Sequence, residues 1–512
     1  MARASDEGGS GRRRAALRDF AGAHRLFLIL LALGVALRTI VFFAYQPALF
    51  SPDSEFYLLS SRTFAPPLQR PYGYSAFLAL VPPGRWLALV PFLQHLFGLA
   101  MACLLYAVLL RLGARRWIAA LAAAPVLLDA YELNIEQYVL SETLFELLLV
   151  GGVAALLWHR PLGTRAAGLA GLLFALSALT RGTALFVALP ALLAVVFLTA
   201  GLPARERLHR AGAFVLVLGG LLLGYVAAFR AVHGEWSFTG YEGRRLYARV
   251  VLWVDCSKFS VPEVERPLCP RQPVGERPRL VNLIWLPGSP VGDVDPPPGE
   301  TRNSVAGAFA RRAMRQQPLT YARVVAEDFA TSFAPTKGDR ERSGYLVAQW
   351  QFQTRFPIPR HLKGWSVRPP PEFRNGDDGR VQVSLASFLR TYQRFGYAPG
   401  PLLAAALLVG IAAALGLAGS RPAGLRSAAF LFVGLALGLC LGTLLVAPFS
   451  WRYQLPQLIL LPPAAAVAAT ALLRRRDERS AIVGEHAGVA QLARASAFQA
   501  EGRGFESRRP LH

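Results

Sequence analysis

The chain has 512 residues, of which 53% are hydrophobic and only 17% charged, a balance too apolar for an ordinary soluble enzyme of this size. A formal charge of +23 would suit a nucleic-acid binder if the arginines gathered on one surface, but they fall in short clusters between apolar runs, so no nucleic-acid partner is expected. Those runs are about twenty residues long, the length a helix needs to cross about 30 Å of hydrocarbon. The expected fold is therefore an all-α polytopic membrane protein of about ten transmembrane helices with a small extracytoplasmic α or α+β segment.

In chain order, residues 1–25 form a basic start, with Arg12, Arg13, Arg14, Arg18 and Arg25 ahead of a first span near 26–45. The flank is like that of a signal peptide, but the apolar stretch is long and no small-x-small cleavage site follows, so this span should remain as an anchor. Residues 26–230 read as the membrane core, with further spans near 87–110, 117–133, 139–158, 166–180, 182–200 and 211–229. Three more are expected near 400–418, 428–448 and 455–473. With the N-terminus inside, alternation puts Arg111, Arg115 and Arg116, Arg160 and Arg165, and Arg205, Arg207 and Arg210 on the cytoplasmic side. Arg421, Arg426, Arg474, Arg475 and Arg476 fall there too, as the positive-inside rule requires.

The first outer loop, 46–86, is too long and too rich in proline and aromatic residues to be a connector, and helices lying at the interface are expected in it. Residues 231–399 form a second outer region, long enough for a small domain, with proline clusters at 295–298 and 369–371 and a helical pattern near 304–332. Cys256 and Cys269 lie in this region, where thiols can oxidise, and a disulfide between them is expected. Cys103 and Cys440 fall inside spans and read as small buried apolar residues. After the C-terminal spans of 400–473, residues 474–512 read as a cytoplasmic tail. Its last part, 484–512, carries GVAQLARAS and then GRGFESRRP, like the product of a reading frame running through a tRNA gene. Gly-Phe-Glu-Ser can be encoded by a stretch containing GGTTCGAATCC, the T-arm sequence, and no fold is expected there.

Ionisable groups at or near membrane depth are costly, which makes them functional candidates. SPDSEFYLLSS at 51–61 carries Asp53 and Glu55, and RPYGYSAFL at 70–78 carries Arg70 and Tyr72. DAYELNIEQYVLSETLFELL at 129–148 carries Asp129, Glu132, Glu136 and Glu142. LTRGTALF at 179–186 carries Arg181, and PFSWRYQLPQ at 448–457 carries Arg452 and Tyr453. The expected topology puts all of them on one side of the membrane, as if lining one cavity. A carboxylate there can take a proton from an attacking hydroxyl while guanidinium groups hold a phosphate leaving group. Plainer readings stand beside these. Asp53 and Glu142 follow serines and also suit helix starts, and Asp129, Glu132 and Glu136 suit a solvated turn. Arg181 can snorkel from a helix end, Arg38 can pair with an acid or snorkel, and His95 reads as a packed histidine.

Asp53 after the first span, RPYGYSAFL, LSETLF at 140–145, GLLFALSALTRGTALF at 171–186 and WRYQLPQL at 451–458 together resemble the GT-C superfamily of polyprenyl-phosphate-sugar-dependent glycosyltransferases. Protein O-mannosyltransferases and the aminoarabinose transferase acting on lipid A are members. The resemblance is best over 26–230 and weak over 428–473. It implies a multi-span helical fold with an outward-facing site, a polyprenyl-phosphate sugar donor, and a lipid, glycan or protein acceptor. Transfer would invert the anomeric centre, with an acid of the first outer loop as the base or beside it. That acid maps onto Asp53. Many relatives have two adjacent acids here, whereas Ser54 separates Asp53 from Glu55, so the base stays open between the two. Arg70, Tyr72, Glu142, Arg181, Arg452 and Tyr453 are the expected substrate-binding residues. No cofactor is demanded, and a divalent metal ion bridging carboxylate and phosphate is left open. High arginine, alanine and glycine usage points to a GC-rich bacterial genome, and so to a plasma-membrane protein working toward the cell envelope. A transporter or lipid flippase, or an inactive envelope-assembly partner, are the competing readings. Transporters more often show internal repeats, and no clear repeat is seen.

Overall fold

The computed structural model describes residues 16, 18–81, 86–338, 350–355, 370, 373, 379–417 and 423–477. The expected read-through tail and most of the basic start lie outside the described residues.

Every expected span is a helix. The first is α1 (Arg25–Ala44). Two short helices, α2 (Pro52–Ser60) and α3 (Gly73–Leu80), then occupy the loop before α4 (Leu89–Arg111). Next come α5 (Arg116–Leu128), the single turn and a half of α6 (Ala130–Ile135), α7 (Glu142–Leu157) and α8 (Thr164–Thr180). A 3-10 turn over Gly182–Val187 leads into α9 (Ala188–Leu198), and α10 (Ala204–His233) follows. Toward the C-terminus stand α16 (Gly400–Ala414), α17 (Ala423–Val446) and α18 (Trp451–Asp477).

Only five of these, α1, α4, α10, α17 and α18, are long and apolar enough to cross a membrane unaided. The other five expected spans are helical for 13 to 17 residues each, about 20 to 26 Å at 1.5 Å per residue, short of a full crossing. The ten expected transmembrane helices thus comprise five long helices and five shorter ones. The shortening has local causes: the helix ending at Leu128 gives way to Asp129, which caps α6 by accepting from Tyr131 N at 2.8 Å and Glu132 N at 3.4 Å. Similarly, extended backbone at Arg181 stops α8.

The helices share one core. α8 packs between α7 and α10, α4 against α5 and α7, and α17 against α9 and α16. Gly171 of α8 allows a close approach, since a Cβ there would lie 2.5 Å from the carbonyl oxygen of Phe214 on α10.

The segment after α10 divides in two. α11 (Glu242–Val250), α12 (Leu280–Ile284) and α13 (Arg302–Gln316) enclose a small core of their own built on Tyr247, Val251, Leu268, Ile284 and Phe309. The Cys256–Cys269 disulfide lies at its edge with a Cα–Cα distance of 6.1 Å. In contrast, α14 (Pro318–Thr331) leans on α17, and α15 (Val383–Tyr392) on α1. Phe352, Phe373, Ala386 and Leu389 belong to the main helical core. The one sheet among the described residues is a two-residue antiparallel pair, β1 (Tyr45–Gln46) with β2 (Arg380–Val381).

Candidate active site

The site is assembled at the ends of four elements. Ser51 and Pro52 start α2: proline at the first helical position costs no hydrogen bond, and Ser54 Oγ accepts from Ser51 N at 2.8 Å. Ser54 Oγ in turn donates to Val139 O at 2.8 Å, and the Tyr57 hydroxyl donates to Ser141 Oγ at 3.0 Å. These bonds lock α2 onto the residues leading into α7, which sets Asp53 beside Glu142. From the other side, Gly73 meets the end of α8, where a Cβ would sit 2.7 Å from Leu179 O. That approach carries Arg70 and Arg181 in together. Arg452 comes from the 3-10 turn Trp451–Gln454 at the head of α18, with Ser450 Oγ accepting from its backbone N at 3.4 Å.

The result is an alternating chain of charges. Arg70 Nη2 lies 2.5 Å from Asp53 Oδ1, and Arg452 Nη1 lies 3.2 Å from Asp53 Oδ2. Arg452 also binds Glu142 through two nitrogens, and Arg181 Nη1 reaches Glu142 Oε1 at 2.6 Å. Asp53 is 14% exposed and Glu142 2% exposed, so the outer carboxylate faces open space while the inner one anchors two guanidinium groups. Burial alone would raise the Asp53 carboxyl, but Arg70 and then Arg452 outweigh it and hold the group well below the usual carboxylate range.

This chain forms one wall of a cavity of about 660 Å³. Asp53, Arg70, Arg181, Arg452 and Tyr453 all line it. Three expected site residues do not, the first being Glu142, which is 2% exposed and lies behind the two arginines that it binds. Glu55 follows Asp53 by two positions, about 200° round the helix, and lies outside the lining. Tyr72 turns its hydroxyl onto Thr63 O at 2.6 Å and also lies outside. Apolar lining comes from Phe56, Leu185, Phe186 and Val446. The peripheral domain adds Tyr241, Arg244, Arg245, Trp285 and Arg311. Burial, then the neighbouring Arg70, pull Arg245 down to about 10, with Asp53 opposing.

Asp129, Glu132 and Glu136 do not form a solvated turn: they are 2%, 0% and 0% exposed. Arg38 is the partner of Glu136, binding it at 2.6 Å and the carbonyls of Val126 and Leu127 at 2.9 and 3.0 Å. His95 completes this network, with Nδ1 2.7 Å from Glu136 and Nε2 2.9 Å from the Gln137 side chain. Asp129 accepts from Ala398 N at 2.7 Å. Lys337, which carries no sequence pattern to flag it, is boxed by Tyr131, Tyr397 and Trp451 at 5.8, 5.3 and 5.1 Å and bonds Gln454. Burial brings its amine down to about 8, against the pull of Asp129. The arginines on α11 and α13 were also missed, because only tertiary contact brings 241–245, 285 and 311 to the cavity. A run of two arginines at 244–245 beside an aromatic was the one available signal.

Among the described residues, no group of three or more histidines, cysteines or acids is placed to hold a metal ion. Asp53 and Glu142 both already spend oxygens on guanidinium groups.

No protein-family model matches the chain, and no curated protein matches it. Solved structures that it resembles include the Saccharomyces cerevisiae protein O-mannosyltransferase Pmt1-Pmt2 complex bound to the sugar donor. That likeness has 15% identity and a TM-score of 0.34, covering 47% of this chain and 39% of that one. Another is the oligosaccharyltransferase of Archaeoglobus fulgidus in its apo form, with 14% identity and a TM-score of 0.42 over 87% of this chain and 50% of that one. The chain thus spans half or less of the length of either.

Proposed function

We propose that the protein is a GT-C-type glycosyltransferase that moves a sugar from a polyprenyl-phosphate donor to an acceptor hydroxyl at the extracytoplasmic face of a bacterial plasma membrane. The observation that carries the reading is the set Arg70, Asp53, Arg452 and Arg181 on the wall of a cavity with apolar lining, with Glu142 behind the wall joining Arg452 to Arg181. Guanidinium groups suit a phosphate leaving group and the apolar wall suits a lipid chain. The sequence resemblance to that superfamily points the same way.

In this reading Asp53 is a poor base while two arginines hold it. A donor phosphate competes for Arg70 and Arg452, and their withdrawal returns basicity to Asp53. Glu142 keeps Arg181 and Arg452 in register as the charge moves. Asp53 then takes the acceptor hydroxyl proton as the oxygen bonds to the anomeric carbon. The bond from that carbon to the phosphate oxygen breaks, and the lipid phosphate leaves with the electron pair. One displacement without a covalent intermediate inverts the anomeric configuration. The phosphate charge is met by guanidinium groups, so transfer should persist in a chelator.

The test is transfer of labelled sugar from a panel of polyprenyl-phosphate sugars by purified protein in lipid, with Asp53→Asn beside the wild type. Transfer or slow donor hydrolysis that falls by about 10²–10⁴-fold in the variant is expected. Folded wild-type protein that turns over no donor would overturn the reading.

A further inference from the structure

The cavity holds more positive charge than one phosphate monoester uses. Six arginines line it, at 70, 181, 244, 245, 311 and 452, against the two acids Asp53 and Glu242. Glu242 is already committed, accepting from Phe238 N at 3.2 Å and Thr239 N at 3.1 Å.

The arginines fall in two sets. Arg245 shares its electrostatic environment with Arg70 and Asp53 and belongs to the inner set. Arg244 is one residue before it, about 100° round α11, and faces a different surface. Its guanidinium lies 5.1 Å from the Tyr241 ring and 5.5 Å from the Trp285 ring, and those rings are 5.6 Å apart. Among the described residues no carboxylate lies within salt-bridge distance of Arg244 or Arg311, and Arg244 Nε is buried without a hydrogen-bond partner. The pairing of the two helices is built in. A Cβ at Gly243 would collide with the Asn303 carbonyl, and Gly307 accommodates the Arg311 side chain, so α11 and α13 close until both arginines reach one cavity.

A guanidinium flanked by two aromatic faces is a surface for a sugar ring bearing a negative group. We infer that Arg244 and Arg311, with Tyr241 and Trp285, form an acceptor subsite selective for an anionic glycan or glycolipid headgroup, one whose sugar carries a phosphate or a carboxylate. The assignment rests on the glycosyltransferase reading for the word acceptor, while the binding preference itself needs no turnover.

The experiment measures binding of mannose 6-phosphate, mannose, glucuronate and glucose to the full chain in lipid nanodiscs, alongside polyprenyl monophosphate and pyrophosphate. The anionic sugars should bind at least about tenfold tighter than their neutral counterparts, the range of one charge-assisted hydrogen bond. Arg244→Ala should erase that preference and Arg244→Lys should restore part of it. Arg311→Glu, at an exposed position that tolerates polar change, should reverse it even if Arg244→Ala folds poorly. Equal binding of charged and neutral sugars by the wild type would overturn the inference. Loss of pyrophosphate binding alone in Arg311→Glu would do the same, since the cations would then serve a second donor phosphate. Selective binding without any sugar transfer would sink the enzymatic reading and leave the anion subsite standing.

Discussion

Two arginine–carboxylate networks lie in this protein, and they use the same chemistry for opposite ends. Arg38, Glu136 and His95 sit inside the bundle, with Arg38 2% exposed and Glu136 wholly enclosed. Arg70, Asp53, Arg452 and Arg181 sit on a cavity wall, with Asp53 open to the cavity and Glu142 behind the wall. In the first, backbone carbonyls and Glu136 take both terminal nitrogens of the guanidinium. In the second, the partners of Asp53 are also the natural partners of an incoming phosphate. Access to the cavity, rather than residue type, is what differs between the two networks.

Mutations should therefore part the two networks. The largest effect is expected at Asp53: Asn there should cost about 10²–10⁴-fold in transfer, with the thermal midpoint in lipid almost unmoved. An equal loss of folding would make Asp53 a structural residue like Glu136. Next, Glu136→Gln strands Arg38 in a dry interior and should destabilise the protein by about 3–5 kcal/mol, read by detergent-resistant unfolding. Full stability in that variant would mean water reaches the inner network.

Removing the cross-link with Cys256→Ser and Cys269→Ser together should cost the peripheral domain about 2–4 kcal/mol, since the closed loop is short. Hydrogen exchange over α11 and α13 should register the loss, while α7 and α8 stay protected. The smallest effect is a displacement of a pH profile. Because the arginines hold Asp53 below its ordinary value of 3.8, the free enzyme keeps this carboxylate ionised at and above that pH. Any stability it contributes is likewise present above its unfolded value and lost as pH falls through the folded one. The acid limb of kcat/KM, which reports the free enzyme, should stay flat through that range. The limb of kcat should lie at higher pH, because donor draws the arginines away. Arg70→Gln removes one of the two positive charges that lower Asp53, so it should move the kcat/KM limb up toward that of kcat. Coincident limbs in the wild type would refute donor-dependent release of the base.

Much of this was legible in the chain itself. Runs of apolar residues determined where helices form, because hydrocarbon leaves backbone groups no partner but their own segment. Ser51–Pro52 announced the start of α2, and polar breaks at 129–141, 181 and 450–454 marked the segments that meet at the site. What one dimension could not carry was partnership. Asp129, Glu132 and Glu136 read as a solvated turn because the partners that accompany their burial, Ala398 for Asp129 and Arg38 for Glu136, lie about a hundred residues away or more. Asp53 and Glu55 looked interchangeable until the pitch of α2 aimed one at the cavity and turned the other aside. Lys337 had no local pattern at all, since its surroundings come from three distant segments, and Arg244 had only its arginine neighbour and a nearby aromatic. Hydrophobic periodicity is a local property and can be read along the chain. The pairing of buried charges is a property of packing, and only the folded bundle decides which carboxylate each guanidinium meets.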